Sequence, residues 1–236
     1  MSPTKKMASS SPSMKTAKSA ATKATAMKTS SVKAASKSVP VMKKDGAGKP
    51  KAKATAMKSE KKELAKPDFY LMKSEPLSRF EKAPSGKVCD MKYSIDDLIA
   101  EPSQTCDWDG VRNYLARNIM RSMKKGDKAF FYHSNAKPSG IVGIVEVMRE
   151  AYPDKQQFDK DDPHYDAKSS KDSPTWDAVD IKFVRKLKRI IPLDELKNDA
   201  FLKKSMQLVQ GNRAPSVSGV SKAEWDYIVG KLEGAK

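Results

Sequence analysis

The stretch WDAVDIKFVRKLKRIIP, residues 176–192, alternates apolar and polar side chains along its first half. Val179, Ile181 and Phe183 fall on one side of this alternation, and Asp180 and Lys182 fall on the other. A period of two residues is that of a β-strand with one buried face, because successive side chains of a strand point in opposite directions. The stretch therefore predicts a strand at the edge of a hydrophobic core.

Three more strands are predicted on either side of this one. They are DFYLMKSE at 68–75, the second half of KKGDKAFFYHS at 124–134, and SGIVGIVEVMREAY at 139–152. The first is rich in aromatic and aliphatic residues and stops at Pro76. Gly143 lies inside the third, and a glycine within a strand indicates a bulge or a bend.

Helices are predicted between and after these strands. Ser94 and Asp97 have the spacing of a capping box, as do Ser221 and Glu224 near the C-terminus, and Trp225 after the second box is expected in the core. One apolar stripe is predicted over 111–123, formed by Val111, Leu115, Ile119 and Met123. LDELKND at 193–199 is also helical in pattern. We therefore expect an α+β fold, with a mixed sheet or small barrel and helices on its rim.

The first 66 residues differ from the rest of the chain. They hold 17 lysines, no arginine and three acidic residues, so most of the net charge of +17 lies there. All 7 Tyr, 7 Phe and 3 Trp fall in the other 170 residues. A charged segment without aromatic residues cannot bury enough apolar surface to offset its ordering entropy. We expect 1–66 to be a disordered basic tail and 67–236 to be one folded domain.

The tail repeats one vocabulary of Lys, Ala, Ser and Thr, as in KATAMKTS at 23–30 and KATAMKSE at 53–60. It resembles the tails of linker histones, and spaced lysines bind phosphates without reading sequence. Two alternatives stay open, a solubilising linker and a transit peptide of a mitochondrion or plastid. We expect nuclear localisation. The longest apolar run, near IVGIV, is far below the about 20 residues of a membrane helix, so no membrane partner is expected.

Motifs for most chemistries are missing from the sequence. Cys89, Cys106, His133 and His164 lack the paired spacing of zinc ligands, and no nucleophile elbow or phosphate-binding glycine loop occurs. We therefore predict no catalytic residue, no metal and no cofactor. The enzymatic alternative is a divalent-cation site for nucleic-acid cleavage in DKDDPHYD, formed by Asp159, Asp161, Asp162, His164 and Asp166. A solvated loop with turn-forming Asp-Pro is the favoured reading of that stretch.

Aromatic and polar residues gather where predicted loops meet strands and helices. Trp108 and Trp176 stand at such junctions, Lys73 and Ser74 end one strand, Tyr132, His133 and Ser134 end another, and Arg112 and Asn113 open a helix. Aromatic faces with hydrogen-bonding side chains between them suit a pocket for a flat polar ring. Asp107 and Asp109 flank Trp108, and each could cap the helix or bind a base edge.

Eight blocks in order make the folded part resemble the EVE-domain family. The blocks are YLMKSEP (70–76), WDGVRNYLARN (108–118), FFYHSN (130–135), GIVGIVEV (140–147), EAYPD (150–154), DPHYDAKS (162–169), PTWDAVDI (174–181) and LDELK (193–197). The resemblance covers about 68–232 and implies a PUA-like fold, a small β-barrel flanked by helices. It also implies a binding module for modified bases, most of all 5-modified cytosine in DNA, with RNA possible as the polymer.

The resemblance implies a base-binding pocket built block by block. Its residues would be Lys73, Ser74, Trp108, Arg112, Asn113, Tyr132, His133, Ser134, Tyr165 and Trp176. Arg117, Arg121 and Lys124 would hold phosphates around the pocket. Nucleic acid is then the expected partner, and a monomer is expected.

Overall fold

A computed structural model describes residues 66–210 and 214–235 of the chain. The predicted tail, apart from Lys66, lies outside the described residues. The strands are β1 (Phe69–Ser74), β2 (Phe80–Lys82), β3 (Val88–Asp90), β4 (Thr105–Trp108), β5 (Lys128–His133), β6 (Gly140–Pro153), β7 (Asp177–Pro192) and β8 (Val217–Val220). The α-helices are α1 (Ile95–Ala100), α2 (Tyr114–Ser122), α3 (Leu193–Asn198), α4 (Leu202–Ser205) and α5 (Lys222–Tyr227), and a π-helical turn (Ile228–Leu232) follows α5.

Six strands form one mixed sheet in the order β4-β7-β6-β5-β1-β8. β1 and β5 run parallel, and the other neighbours in this sheet are antiparallel. β2 and β3 form a separate antiparallel hairpin. The α+β, PUA-like fold expected from the sequence is confirmed. The barrel is not closed, because β4 and β8 stand at opposite ends of the strand order and do not pair within the described part of the chain.

The pairing of β6 with both of its neighbours is irregular at Gly143, where the sequence predicts a bulge or a bend. The β6–β7 register shifts between Ile141 and Gly143, and the β5–β6 register shifts between Phe131 and Tyr132, opposite the same position. A Cβ on Gly143 would overlap the side chain of Ile95 and lie 2.9 Å from the carbonyl oxygen of Arg185. Glycine at 143 therefore lets α1 pack directly on the sheet.

The sheet separates two hydrophobic clusters, one on each face. Along β1, Tyr70 and Met72 enter the first cluster with Trp108 and Phe131, while Leu71 enters the second. The second cluster is centred on Trp225, whose ring stacks between those of Phe69 and Phe130 at centroid distances of 4.2 and 4.1 Å. Both faces of the sheet are thus covered, and Trp225 is a core residue as predicted.

The helix starts predicted from the two capping boxes are confirmed, whereas the prediction of one buried apolar stripe over 111–123 is partly wrong. Both capping boxes form, Ser94 with Asp97 on α1 and Ser221 with Glu224 on α5. In the stripe, Val111 and Met123 are buried, but Leu115 is 41% exposed. Val111 precedes α2, and the buried residues of α2 itself are Ala116 and Met120. Within the described ranges, none of the helices combines the length and the apolar content that a membrane span requires.

Candidate base-binding site

A cavity of about 420 Å³ lies beside the C-terminal end of β1, and several parts of the chain form its walls. The C-terminal end of β1 contributes Lys73 and Ser74, and the segment from the end of β3 to Tyr93 forms the facing wall. β4 and the residues after it, Cys106–Val111, form a third wall. Gln156 and His164 after β6, and Ser216 before β8, complete it. This volume falls within the roughly 300–1,000 Å³ of small-ligand pockets.

The end of β1 is fixed by hydrogen bonds from both neighbouring segments. The Ser74 hydroxyl donates to the carbonyl oxygen of Tyr93 at 2.7 Å, and the Ser134 amide and hydroxyl both donate to the carbonyl oxygen of Ser74 at 2.8 Å. The ammonium group of Lys73 donates to the carbonyl oxygen of Ala214 at 2.6 Å. Burial lowers the pKa of Lys73. Ser74 and Lys73 are therefore held in one orientation at the cavity.

His133 lies behind this wall, where it supports α1. Its Nε2 atom accepts a hydrogen bond from the backbone N–H of Ile95 at 3.0 Å, which requires that nitrogen to be unprotonated. Burial lowers the pKa of His133, in agreement with a neutral imidazole. His133 thus positions the N-terminus of α1 and is not among the cavity-lining residues.

Trp108 ends β4 with its ring between the cavity and the core. Trp108 is 7% exposed, and its ring meets that of Phe131 edge-on at a centroid distance of 5.5 Å. Gly110, two residues later, has φ +68°, and a Cβ there would lie 2.8 Å from the imidazole of His164. The left-handed backbone and this close approach both require glycine. The DWDG segment therefore turns sharply after presenting Trp108 and Asp109 to the cavity.

Arg112 clamps this turn to the segment after β6. Its guanidinium pairs with the buried carboxylate of Asp154 at 2.7 Å and donates to the carbonyl oxygen of His164 at 2.6 Å. Asp154 also accepts from the backbone N–H of Gly110 at 3.1 Å. Nη2 of Arg112 is buried without a partner in the described part of the chain. Arg112 acts as a structural clamp behind the wall, and the cavity lining does not include it.

The long polar loop after β6 is tightly organised around Gln157. The fully buried Gln157 amide accepts from the backbone N–H groups of Thr175 and Trp176, both at 2.9 Å, and donates to the carbonyl oxygens of Asp154 and Trp176. The two ends of the loop are thereby joined. The loop is a built wall of the site, and its residues Gln156 and His164 line the cavity.

Trp176 and the start of α2 form an aromatic and cationic cluster beside the cavity. Trp176 is buried, and its Nε1 donates to Asp166 at 2.8 Å. The Tyr114 ring lies 4.8 Å from that of Trp176, and the Arg117 guanidinium lies 4.8 Å from the Tyr114 ring. Asn113 caps α2 by accepting from two backbone N–H groups at 3.0 Å. Neither Asp107 nor Asp109 caps this helix.

Of the ten predicted pocket residues, Lys73, Ser74 and Trp108 line the cavity. The other seven lie outside its lining: Arg112, Asn113, Tyr132, His133, Ser134, Tyr165 and Trp176. Tyr132 is buried in the cluster on the opposite face of the sheet, and burial raises its pKa. Tyr165 is half-buried in the loop, where its backbone N–H donates to the carbonyl oxygen of Asp162. Trp108 and Trp176 thus belong to neighbouring but separate sites.

The three predicted phosphate-binding side chains project from or follow α2. Arg117 donates to the carbonyl oxygen of Thr175 at 2.8 Å, and Arg121 pairs with Asp177. Lys124 pairs with Glu150 at 2.8 Å. The side chains of Arg121 and Lys124 are 45% and 60% exposed, so both remain accessible to an approaching polyanion.

The carboxylates of the DKDDPHYD loop mainly stabilise its own turns. Asp159 accepts from the backbone N–H of Asp161, and Asp162 accepts from that of His164. The Asp166 carboxylate accepts hydrogen bonds from the backbone N–H of Lys168 and from the indole N–H of Trp176, and both bonds lower the pKa of Asp166. No three His, Cys, Asp or Glu side chains cluster in a way suited to a metal ion among residues 66–210 and 214–235. This geometry matches the turn-forming role favoured from the sequence.

Several cavity residues escape prediction from the sequence. Tyr93, Cys106, Asp109, Gln156 and His164 line the cavity without belonging to the predicted set. The sequence leaves Asp109 as a helix cap or a base-edge contact and names His164 only for a cation site, so neither enters the predicted pocket. Burial raises the pKa of the Cys106 thiol to about 12, so this cysteine stays a neutral wall residue. Burial also raises the pKa of Asp109, to about 7.

Comparison with known proteins agrees with this architecture. The profile of the EVE domain family matches residues 68–231. Thymocyte nuclear protein 1 of Mus musculus is 50% identical over 182 residues, which span 74% of this chain and 77% of the relative. The crystal structure of the DUF55 domain of human thymocyte nuclear protein 1 is similar with a TM-score of 0.65 and 47% identity, over 71% of this chain and 99% of that one.

A second human structure is that of the THYN1 protein in complex with 5-methylcytosine-containing DNA. It matches with a TM-score of 0.65 and 46% identity, over 71% of this chain and 98% of that chain. The EVE profile covers more than half of this chain, and the relatives are about 50% identical to the chain over the aligned residues. The chain therefore belongs to the EVE domain family.

Proposed function

We propose that this protein binds DNA that carries a 5-modified cytosine and takes the modified base into the cavity beside Trp108. The observation that carries the proposal is the cavity itself, which places aromatic surface next to fixed polar groups. The similarity to human THYN1 protein, which was solved in complex with 5-methylcytosine-containing DNA, supports the choice of ligand. The proposal describes a binding module and assigns no catalytic residue.

Aromatic contacts in the cavity can offset the cost of taking a base out of the helix stack. A paired base exposes only its groove edges, and extruding it costs a few kcal/mol. Contact with aromatic side chains returns about 1–3 kcal/mol per base. Trp108 and Tyr93 offer such surface in the cavity, and Ser74 and Lys73 offer polar contacts at its wall. The balance is close to zero, so hydrogen bonds to the base edge and contacts with the 5-substituent decide the outcome.

Discrimination between modified and unmodified cytosine should be moderate. One methyl group in an apolar niche contributes roughly 1–3 kcal/mol, which is about 10–200-fold in affinity. Met91, Trp108 and Val111 provide apolar surface in the cavity for such a niche. The remaining predicted pocket residues, Arg112, Asn113, Tyr132, His133, Ser134, Tyr165 and Trp176, have the proposed role of holding these walls in place.

Affinity for the backbone is proposed to come from two basic regions. Arg117, Arg121 and Lys124 would exchange their present protein partners for phosphates. The lysines of residues 1–66, which lie outside the described residues, would add salt-dependent binding that ignores sequence. Nuclear localisation fits this use and the names of the thymocyte relatives. Imaging of a fluorescent fusion to residues 1–66 would separate the nucleus from a mitochondrion or plastid.

Equilibrium titration tests the proposed ligand. A duplex with a single 5-methylcytosine and the matching unmodified duplex are titrated with the full chain and with residues 67–236, and fluorescence anisotropy reports binding. We expect residues 67–236 to prefer the modified duplex by about 10-fold or more. The full chain should bind both duplexes more tightly and with a steeper salt dependence. Equal affinity of residues 67–236 for the two duplexes would remove 5-methylcytosine as the ligand, and a single-stranded RNA arm would then identify the polymer.

A further inference from the structure

The Asp109 carboxyl group lines the cavity next to Trp108 and is only partly exposed. Among the described residues, no cation pairs with it and no other side chain hydrogen-bonds to it. Asn113 caps α2, so the helix does not use Asp109 either. The carboxyl group is therefore available to a ligand in the cavity.

Cations near the cavity are all engaged with other oxygen atoms. Arg79 pairs with Glu75, Lys92 pairs with Asp97, Arg112 pairs with Asp154, and Lys73 donates to the carbonyl oxygen of Ala214. The charges that act on Asp109 are instead negative. They come from Asp107 on β4, from Asp154 after β6, and from Asp162 in the loop.

This environment favours the protonated form of Asp109. Burial raises the pKa of Asp109 to about 7, and the charges of Asp107, Asp154 and Asp162 act in the same direction. The carboxyl group is then about half protonated in neutral solution. His164, which also lines the cavity, has its Nδ1 atom 3.1 Å from Asp162, so the test includes a variant of His164.

A neutral carboxyl group matches the Watson–Crick edge of cytosine. That edge places the N3 acceptor beside the N4 amino donor, and a carboxylic acid presents an O–H donor beside a C=O acceptor. A carboxylate presents only acceptors, so its second oxygen would face the lone pair of N3. The same single proton completes the pair whether it is assigned to Asp109 or to N3.

We propose that Asp109 reads the Watson–Crick edge of the captured cytosine through one shared proton, so that DNA binding takes up a proton above neutral pH. This inference rests on the proposed function. It assigns to Asp109 a direct contact with the base and gives the site a pH dependence.

The sign and size of the pH effect follow from linkage. Well below pH 7 the free protein already carries the proton, so affinity is nearly constant there. Above pH 7 each further pH unit lowers affinity about tenfold, as long as the bound complex keeps the proton. From a free-protein pKa of about 7, affinity for the modified duplex should fall about 30-fold between pH 6 and pH 8.5.

Substitution by asparagine separates the proton from the contact. An asparagine amide donates to N3 through its NH₂ group and accepts from N4 through its C=O group, without titrating. Asp109→Asn should therefore bind the modified duplex about as tightly as the wild-type protein at pH 6 and show no loss at pH 8.5. Asp109→Ala should bind at least about 10-fold more weakly than Asp109→Asn at both pH values.

The experiment uses the full chain, fixed salt and a duplex with one 5-methylcytosine, with affinity measured by anisotropy from pH 6 to pH 8.5. Asp107→Asn is the matched control, since it removes the neighbouring exposed carboxylate, and it should retain most of the wild-type slope. His164→Gln should also retain a slope. A flat wild-type profile, or an Asp109→Asn variant that keeps the wild-type slope, would overturn the inference. Loss of all preference for the modified duplex would instead overturn the proposed function.

A measurement without DNA checks that the variant folds and that Asp109 titrates as required. A carboxyl group with a raised folded-state pKa makes folding less favourable as pH rises from about 4 to about 7. Asp109→Asn removes that loss, so its thermal midpoint relative to wild type should be higher at pH 8 than at pH 5. Equal differences at the two pH values would contradict protonation of Asp109 in the folded protein.

Discussion

Arg112→Met tests whether Arg112 stabilises the site from behind its wall. The Asp154 side chain is fully buried, and among the described residues Arg112 alone pairs with it, at 2.7 Å. Without Arg112, Asp154 keeps hydrogen bonds from the backbone N–H groups of Gly110 and Gln156 at 3.1 and 2.8 Å, but its charge is unpaired. Breaking a buried ion pair in this way lowers the free energy of unfolding by about 3–5 kcal/mol. We expect a loss of about 3 kcal/mol, because the two backbone N–H groups still bind the Asp154 carboxylate.

Urea unfolding of the full chain, without DNA, measures this loss. With a slope of about 2 kcal/mol per molar urea, a loss near 3 kcal/mol lowers the midpoint by about 1.5 M. Lys124→Met is the matched control, because its pair with Glu150 joins side chains that are 60% and 50% exposed. Such a surface pair contributes about 0–1 kcal/mol. An Arg112→Met loss no larger than that of Lys124→Met would refute the clamp.

Three further predictions concern the packing that holds the site. Gly143→Val should lower the free energy of unfolding by about 1–3 kcal/mol, because the new side chain overlaps α1. Gly230→Ala is the control: a Cβ there meets nothing within 4 Å, so this variant should be neutral or stabilising by up to about 1 kcal/mol. Urea unfolding midpoints compare the two variants, and equal shifts would contradict the argument. Trp225→Ala should cost about 3–5 kcal/mol by the same assay, because two rings lose their stacking partner, and a loss below about 1 kcal/mol would not fit. Bonds from Lys92 and Ser94 lower the pKa of Asp97 to about 2, so its stabilising effect is present above about pH 4 and lost as pH falls towards 2. Thermal midpoints of Asp97→Asn and wild type should therefore converge at low pH, and a constant difference would contradict this.

Features set by neighbouring residues were predictable from the sequence. The alternation of Val179 and Ile181 with Asp180 identified β7, and both capping boxes formed where Ser94 and Ser221 indicated them. Each depends on residues within a few positions of one another, because strand alternation and helix capping are local geometry. The irregular pairing at Gly143 was readable for the same reason.

Features set by distant contacts were not predictable. Tyr93 and Ser216 meet Ser74 at the cavity only because the β3–α1 connection and β8 both pack against β1. The stripe through Leu115 failed because four-residue spacing drifts around a helix of 3.6 residues per turn, and because Val111 precedes α2. The raised pKa of Asp109 is not readable from the sequence, since it comes mainly from burial and, beside the nearby Asp107, from the charges of Asp154 and Asp162 on other segments.

The central claim is that one modified cytosine leaves the duplex and enters the cavity beside Trp108. Fluorescence of a 2-aminopurine placed next to the 5-methylcytosine reports that step, because the probe brightens when its neighbour unstacks. We predict that wild-type protein brightens this duplex at an about 10-fold lower protein concentration than the same duplex without the methyl group. Trp108→Leu, checked for folding by circular dichroism, should bind more weakly and brighten the probe less. Saturation of the modified duplex by the wild-type protein without any rise in fluorescence would contradict the account.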